Sequence, residues 1–205
     1  MLEAVAIDRL GPGPHIIHGG TLGMFRGRTA EVLARFVEST PALVSLDPNV
    51  RPAIIEDRDA WEHFHQRWLA RAHLYRGSEE DIDWIWPGRR VADVAAELLA
   101  GGVKAVFITR GSAGVTVHLN DAEFVVPPSS VDVVDTVGAG DTFVGGLLAG
   151  LWFSGVPISA SGLDELSVEQ WRSLTARASA AAGITCSRKG ADPPTADDLE
   201  AFLHR

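Results

Sequence analysis

The amino-acid sequence predicts an α/β fold organised around a largely parallel sheet. Three observations carry this. Short β-rich apolar runs alternate with segments of helical periodicity along most of the chain. Most of these strand-like runs are separated by helix-length segments, which means right-handed crossover connections, and crossovers join parallel strands. The composition is 46% hydrophobic and 22% charged over 205 residues. That is enough to bury one core, so a single domain over residues 1–205 is the expectation.

Taken in order, His15–His18 (HIIH) and Leu43–Leu46 (LVSL) are short apolar runs and read as buried strands. His73–Tyr75 and Val103–Thr109 (VKAVFIT) follow the same logic. Between them, Thr29–Ser39 and Asp57–Ala72 carry apolar residues at helical spacing. So does Val91–Ala100, which stops at Gly101-Gly102, a helix C-terminal signal. Val115–Leu119 and Glu123–Val126 flank Asn120-Asp121 and predict a β-hairpin. A loop follows, then a long apolar helix, an acidic linker near Gly162–Glu169, and a helix from Val168 to about Gly183. A last helix is expected after Pro193-Pro194. The sequence has no internal repeat and no low-complexity tract.

Charge and cysteine content narrow the function classes. A net charge of -9 argues against nucleic acid as a partner, because binding a phosphate backbone needs clustered Lys and Arg. It leaves room for a small anionic ligand, since a few local donors outweigh the global field. Cys186 is the only cysteine, so no internal disulfide can form, which fits a reducing compartment. Met1–Leu10 lacks a basic stretch ahead of an apolar run and does not read as a secretory signal. The longest apolar run, Phe143–Phe153, is too short to span a bilayer. A soluble cytoplasmic protein without membrane partners is expected.

The segment richest in chemistry is Asp135-Thr136-Val137-Gly138-Ala139-Gly140-Asp141, followed at once by the apolar helix. Phe143, Leu147 and Leu151 are four apart, as are Val144, Leu148 and Trp152, so the helix presents one broad apolar face and is buried. Gly145, Gly146 and Gly150 lower its helix propensity, which close packing against a neighbour would offset. The Gly-Ala-Gly step lets backbone N–H groups converge on an anion, and the helix N-terminus adds unpaired donors and partial positive charge. Asp141, in the first turn, could accept a proton from an attacking hydroxyl. Read alone, the segment also fits a glycine-rich turn with Asp141 stabilising the helix dipole.

Asp135–Asp141 resembles the C-terminal signature of the ribokinase-like, or PfkB-type, carbohydrate kinases. The resemblance implies a three-layer α/β/α arrangement with a mostly parallel, Rossmann-like sheet. It implies an anion hole from Gly138, Ala139 and Gly140, with Asp141 as catalytic base. Three further segments agree with it in order. Leu46–Pro52 (LDPNVRP) resembles the family's DPNxRP segment, which implies Asn49 and Arg51 near the substrate and phosphate. On its own it reads as a Pro-bounded turn with a surface Arg. Gly77–Asp81 (GSEED) resembles the N-x-x-E region that organises Mg²⁺ and phosphate water, with Ser78 in place of Asn and Asp81 in place of Glu. Ser78 and Asp81 also read as a helix N-cap with its N3 partner. Thr109–Gly114 (TRGSAG) ends a strand and resembles the nucleotide-phosphate loop, which implies Thr109, Gly111 and Gly114 at ATP. Ligands of open parallel sheets lie beyond the C-terminal strand ends, where these segments fall.

Ala178–Pro194 resembles the family's last helix and following loop, which implies Gly190 near the nucleotide and Asp135 or Gly190 near a monovalent cation such as K⁺. ATP and Mg²⁺ are the implied cofactors, a sugar the implied partner, and a homodimer the implied assembly. Cys186 lacks an evident catalytic partner and reads as a small buried thiol. The histidine spacings suit no metal site, since His63 and His65 do not share a helix face and His15 and His18 point to opposite sides of a strand. The six tryptophans read as core or interface residues.

Relative to the family, the chain is expected to begin mid-domain, near His15–Phe25, without the N-terminal strands, Gly-Gly motif and lid that grip the sugar. Three functions stay open at this point. The first is an ATP-dependent sugar kinase, fructokinase-like from DPNVRP and GSEED, with a 2-keto-3-deoxygluconate kinase as neighbour. The second is a non-catalytic nucleotide-binding remnant. The third is a dinucleotide enzyme, for which Gly19-Gly20-Thr21-Leu22-Gly23 is a poor fingerprint.

Overall fold

The computed structural model describes residues 11, 13–20 and 22–204; the reading of Met1–Leu10, and Thr21 of the Gly19–Gly23 segment, lie outside them. Six strands form one sheet in the order β1-β2-β3-β4-β5-β6. They are β1 (Ile16–Gly20), β2 (Leu43–Asp47), β3 (Leu74–Ser78), β4 (Ala105–Thr109), β5 (Val115–His118) and β6 (Glu123–Val126). β1 runs parallel to β2 and β2 parallel to β3, whereas β5 and β6 form the expected antiparallel hairpin, with Val115 opposite Val126. The α/β fold with a mostly parallel sheet is therefore the one predicted.

Eight helices accompany the strands among the described residues: α1 (Gly27–Ser39), α2 (Arg58–Leu69), α3 (Glu79–Ile85), α4 (Val91–Ala100), α5 (Ala139–Phe153), α6 (Ala160–Asp164), α7 (Val168–Cys186) and α8 (Ala196–Leu203). Their starts follow sequence chemistry. Asp57 caps α2 by accepting from the Ala60 amide, and Ser78, Ser167 and Thr195 open α3, α7 and α8 with capping boxes. Two differences from expectation stand out. Ala160–Asp164 is a short helix where an acidic linker was expected, because five residues show no usable period. α7 runs past Gly183 to Cys186. A Cβ on Gly183 would lie 2.7 Å from Ser129 Cβ, so glycine there serves packing and not termination.

Backbone contacts divide the chain into two compact units, Met1–Val106 with Ile158–Ala160, and Phe107–Pro157 with Ser161–Arg205. In the first unit β2 is buried throughout and Ala30, Ala34 and Val37 of α1, with Trp61 and Trp68 of α2, form the core. Gly19 and Gly20 at the end of β1 are packing glycines: a Cβ on Gly19 would overlap the Trp68 ring, and one on Gly20 would lie 2.7 Å from Asp47 O. In the second unit Phe107 packs on Phe143 and Trp171, with centroids 6.0 and 5.9 Å apart.

α5 buries Phe143, Val144, Leu147 and Leu151, as predicted, but the row ending at Trp152 surfaces: Trp152 is 47% and Phe153 84% exposed. Its glycines divide. A Cβ on Gly146 would lie 3.2 Å from Ala178 Cα and one on Gly150 2.8 Å from Leu174 Cδ2, both on α7, whereas Gly145 faces open space. Of the tryptophans, Trp61, Trp68 and Trp171 are core residues. Cys186 is half-buried and not fully buried, and burial raises its thiol pKa. No helix of the described residues is long and apolar enough to cross a membrane.

Candidate active site

In the second unit the chain enters α5 through Gly138, whose φ of 79° is left-handed. A side chain would strain this backbone and its Cβ would lie 2.9 Å from Ala191 Cβ, so glycine is required twice over. The turn is closed by Ala139 N donating to Thr136 O at 3.2 Å and Thr142 N donating to Gly138 O at 2.8 Å. Among the described residues, the N–H groups of Gly138, Gly140 and Asp141 have no acceptor. Of the three amides expected to form an anion hole, Ala139's is thus occupied, and that of Asp141 joins Gly138 and Gly140. Three unsatisfied donors at the start of a fifteen-residue helix, under its partial positive charge, are chemically suited to an anion. The Asp141 side chain stands exposed in the same turn.

Asp135 and Gly190 are brought together directly. Asp135 Oδ1 accepts from Val137 N at 3.1 Å and Oδ2 from Gly190 N at 2.9 Å. These amides hold its carboxyl below the usual aspartate range. Val134 N and Asp135 N both donate to Cys186 O, at 2.8 and 3.1 Å. The loop before α5 is therefore latched to the end of α7 and the loop after it.

The loop after β4 is a tight 3-10 turn, with Gly111 at φ 52° and Gly114 at φ 86°. Arg110, Ala113 and Gly114 amides close it internally, while those of Gly111 and Ser112 have no acceptor among the described residues. A Cβ on Gly114 would overlap Val126 O, so this glycine serves the hairpin, while Gly111 has open space beside it. Thr109 is half-buried at the end of β4.

In the first unit, the residues after β2 and β3 are tied into one network. Asp47 is 2% exposed; its Oδ2 accepts from Arg76 Nη1 at 2.9 Å and its Oδ1 from Asn49 N at 3.1 Å. Burial pushes the Asp47 carboxyl pKa up, and the Arg76 guanidinium counters it. Asn49 takes a left-handed φ of 41°, which Asn tolerates better than most residues. Asp81 is 5% exposed; its Oδ1 accepts from Val50 N at 2.8 Å and its Oδ2 from Ser78 N and Oγ at 2.8 and 2.7 Å. Ser78 and Asp81 thus form the helix cap that the sequence also allowed, and the same carboxylate fixes the 47–51 loop. Arg51 is exposed and donates to Val50 O at 2.9 Å. Asn49 and Arg51 border a cavity of about 160 Å³ that Pro48, Phe25 and Trp61 also line.

Sequence reasoning did not single out Arg76, Thr142, Thr185 or the Cys186 carbonyl. Thr142 follows Asp141 and Arg76 precedes Gly77, and Thr185 and Cys186 lie within Ala178–Pro194; that proximity was the available signal. Among the described residues no group of three His, Cys, Asp or Glu side chains could hold a metal ion. The amide set fits a nucleotide phosphate, whereas the acidic residues do not form a Mg²⁺ cage of their own.

The profile of the pfkB family carbohydrate kinases matches residues 20–198. A fructokinase of Rhizobium leguminosarum bv. trifolii is 34% identical over 153 residues, covering 74% of this chain and 47% of that protein. A fructokinase of Klebsiella pneumoniae is 34% identical over 162 residues, covering 78% of this chain and 50% of that protein. The chain thus spans about half the length of these curated relatives. The crystal structure of a Xylella fastidiosa fructokinase with bound ATP superposes with a TM-score of 0.82 at 24% identity, over 92% of this chain and 61% of that one. The fold is ribokinase-like, and with the family profile matching residues 20–198 the chain belongs to the pfkB family carbohydrate kinases.

Proposed function

We propose that this chain carries the phosphoryl-transfer side of an ATP-dependent sugar kinase. The observation that supports this best is the start of α5, where three amides without acceptors stand in one turn with the exposed Asp141 carboxylate. Bound ATP, with Mg²⁺ carried on its phosphates, would supply the phosphoryl group and neutralise charge on it. The Gly138, Gly140 and Asp141 amides would hold the oxygens of the transferring group, which needs alignment and charge stabilisation more than covalent help. Asp141 would take the proton from the attacking hydroxyl. Gly111, with its open amide, would contact the remaining phosphates, with Thr109, Gly114 and Gly190 bordering the nucleotide. Asn49 and Arg51, beside their cavity, would face the sugar and its phosphate. Ser78 and Asp81 would act chiefly by fixing that loop. Asp135 is the residue proposed for a monovalent cation, although its two amide bonds already tie the loops together.

A ketohexose such as fructose is the proposed acceptor, with 2-keto-3-deoxygluconate as the alternative, in a soluble cytoplasmic protein. The second reading is a nucleotide-binding chain without catalysis. The test is ATP-dependent phosphorylation of both sugars, coupled to ADP release, with calorimetry of ATP binding. Turnover that falls at least about a hundredfold in Asp141→Asn, with ATP still bound, supports the kinase and the base. ATP binding without turnover supports the second reading. Absence of ATP binding removes both.

A further inference from the structure

We infer that Thr185 is a positioning residue that, with the adjoining Cys186 carbonyl, holds the open amides at the start of α5 in their ligand-ready arrangement. The inference rests on the phosphate-binding role proposed above for those amides. Thr185 lies in the last turn of α7 and is 0% exposed. A hydroxyl removed from water is unfavourable unless it is bonded, and Val would fill the same space without that requirement. Here the hydroxyl is bonded: Thr185 Oγ1 lies 3.0 Å from Thr142 Oγ1 and 3.3 Å from Ala181 O. The bond to its own helix is the ordinary outlet for a helical threonine. The shorter bond crosses to α5, one residue beyond Asp141.

A hydroxyl donates one hydrogen. If Thr142 donates to Thr185, Thr185 donates to Ala181 O. If Thr185 donates to Thr142, the Thr142 hydroxyl hydrogen stays available for another acceptor. Both arrangements fix the Thr142 side chain, whose own amide bonds Gly138 O at 2.8 Å. The other end of the loop is fixed by the next residue of α7, since Cys186 O accepts from Val134 N and Asp135 N. Two consecutive residues of α7 therefore hold residues 134–135 and 142, and the open amides of Gly138, Gly140 and Asp141 lie between these points. Gly138 itself sits against Thr185, with an added Cβ 3.9 Å from Thr185 Cγ2. Groups held in place before a ligand arrives need no reorganisation when it binds.

The test compares wild type, Thr185→Val and Thr185→Ser in the full chain. The readouts are hydrogen exchange of the Ala139 and Thr142 amides, the two that are bonded within the turn, and ATP affinity by calorimetry. Val is expected to speed exchange of these amides and weaken ATP binding, each by about tenfold, the value of one lost hydrogen bond. Ser keeps the hydroxyl and is expected to restore both. Val behaving as wild type would overturn the inference, as would Ser losing as much as Val, because the methyl packing and not the hydroxyl would then matter. If Thr185→Val does not fold, Thr142→Val breaks the same bond from the half-buried side and must loosen the same amides. Exchange needs neither ATP nor turnover. A wild type that fails to bind ATP would refute the proposed function, while the exchange result still decides whether Thr185 holds the turn.

Discussion

Acid should destabilise this protein through His65. The side chain is 0% exposed, stacked on Trp61 at 4.7 Å, with Trp86 and Tyr75 edge-on at 5.7 and 6.4 Å. Neither ring nitrogen has a hydrogen-bond partner among the described residues. Burial pushes its pKa from an ordinary 6.5 down to about 4. The folded chain therefore resists the proton that the unfolded chain accepts. Stability falls as pH drops from about 6.5, and the loss is complete once both states are protonated, below about 4. The gap corresponds to roughly 3 kcal/mol, of which about 2 kcal/mol is lost between pH 7 and pH 5, at about 1.4 kcal/mol per tenfold change in a proton equilibrium. The measurement is urea unfolding at both pH values for wild type and His65→Leu, a change of similar volume. Other titrating groups act in both proteins and cancel in the comparison; Asp47, whose pKa is raised, works in the opposite direction. Wild type should lose about 2 kcal/mol more than the variant on going to pH 5. Equal losses would show that His65 finds a partner or water when protonated, and would refute the argument.

Two further changes probe the site. Gly138→Val forces a branched side chain into the left-handed region and against Ala191; a stability loss of roughly 1–3 kcal/mol is expected with weaker ATP binding, read by denaturation and calorimetry. Unchanged affinity would show that the turn holds no phosphate. Asp81→Ala leaves the Val50 and Ser78 amides without their acceptor and should destabilise on the order of 2–4 kcal/mol by thermal unfolding. Altered Mg²⁺ dependence with unchanged stability would instead place Asp81 at the metal.

Much of the architecture was legible in the chain because it is written in short-range terms. The alternation of β-rich runs and helical periods predicted the parallel sheet, and Asn120-Asp121 predicted the hairpin. Asp135–Asp141 marked the entry to α5, since a glycine turn followed by an apolar helix is a statement about neighbouring residues. Ser78 and Asp81 announced a cap because they are three apart. The short helix α6 escaped because five residues carry no measurable period.

Other features depend on partners far away in sequence, and only the tertiary structure decides them. His65 reads as one polar residue on an ordinary helix until Trp61, Tyr75 and Trp86 close around it. Gly145, Gly146 and Gly150 look alike in the chain; two of them face α7 and one faces open space. Arg76 finds Asp47, Thr185 finds Thr142, and Gly190 finds Asp135. Periodicity and turn chemistry act through backbone geometry over a few residues, so sequence alone determines which segments become strands, helices and glycine turns. Which buried polar group meets which partner is set by how those segments pack, because a hydrogen bond depends on a fit of a few tenths of an ångström that no local pattern encodes.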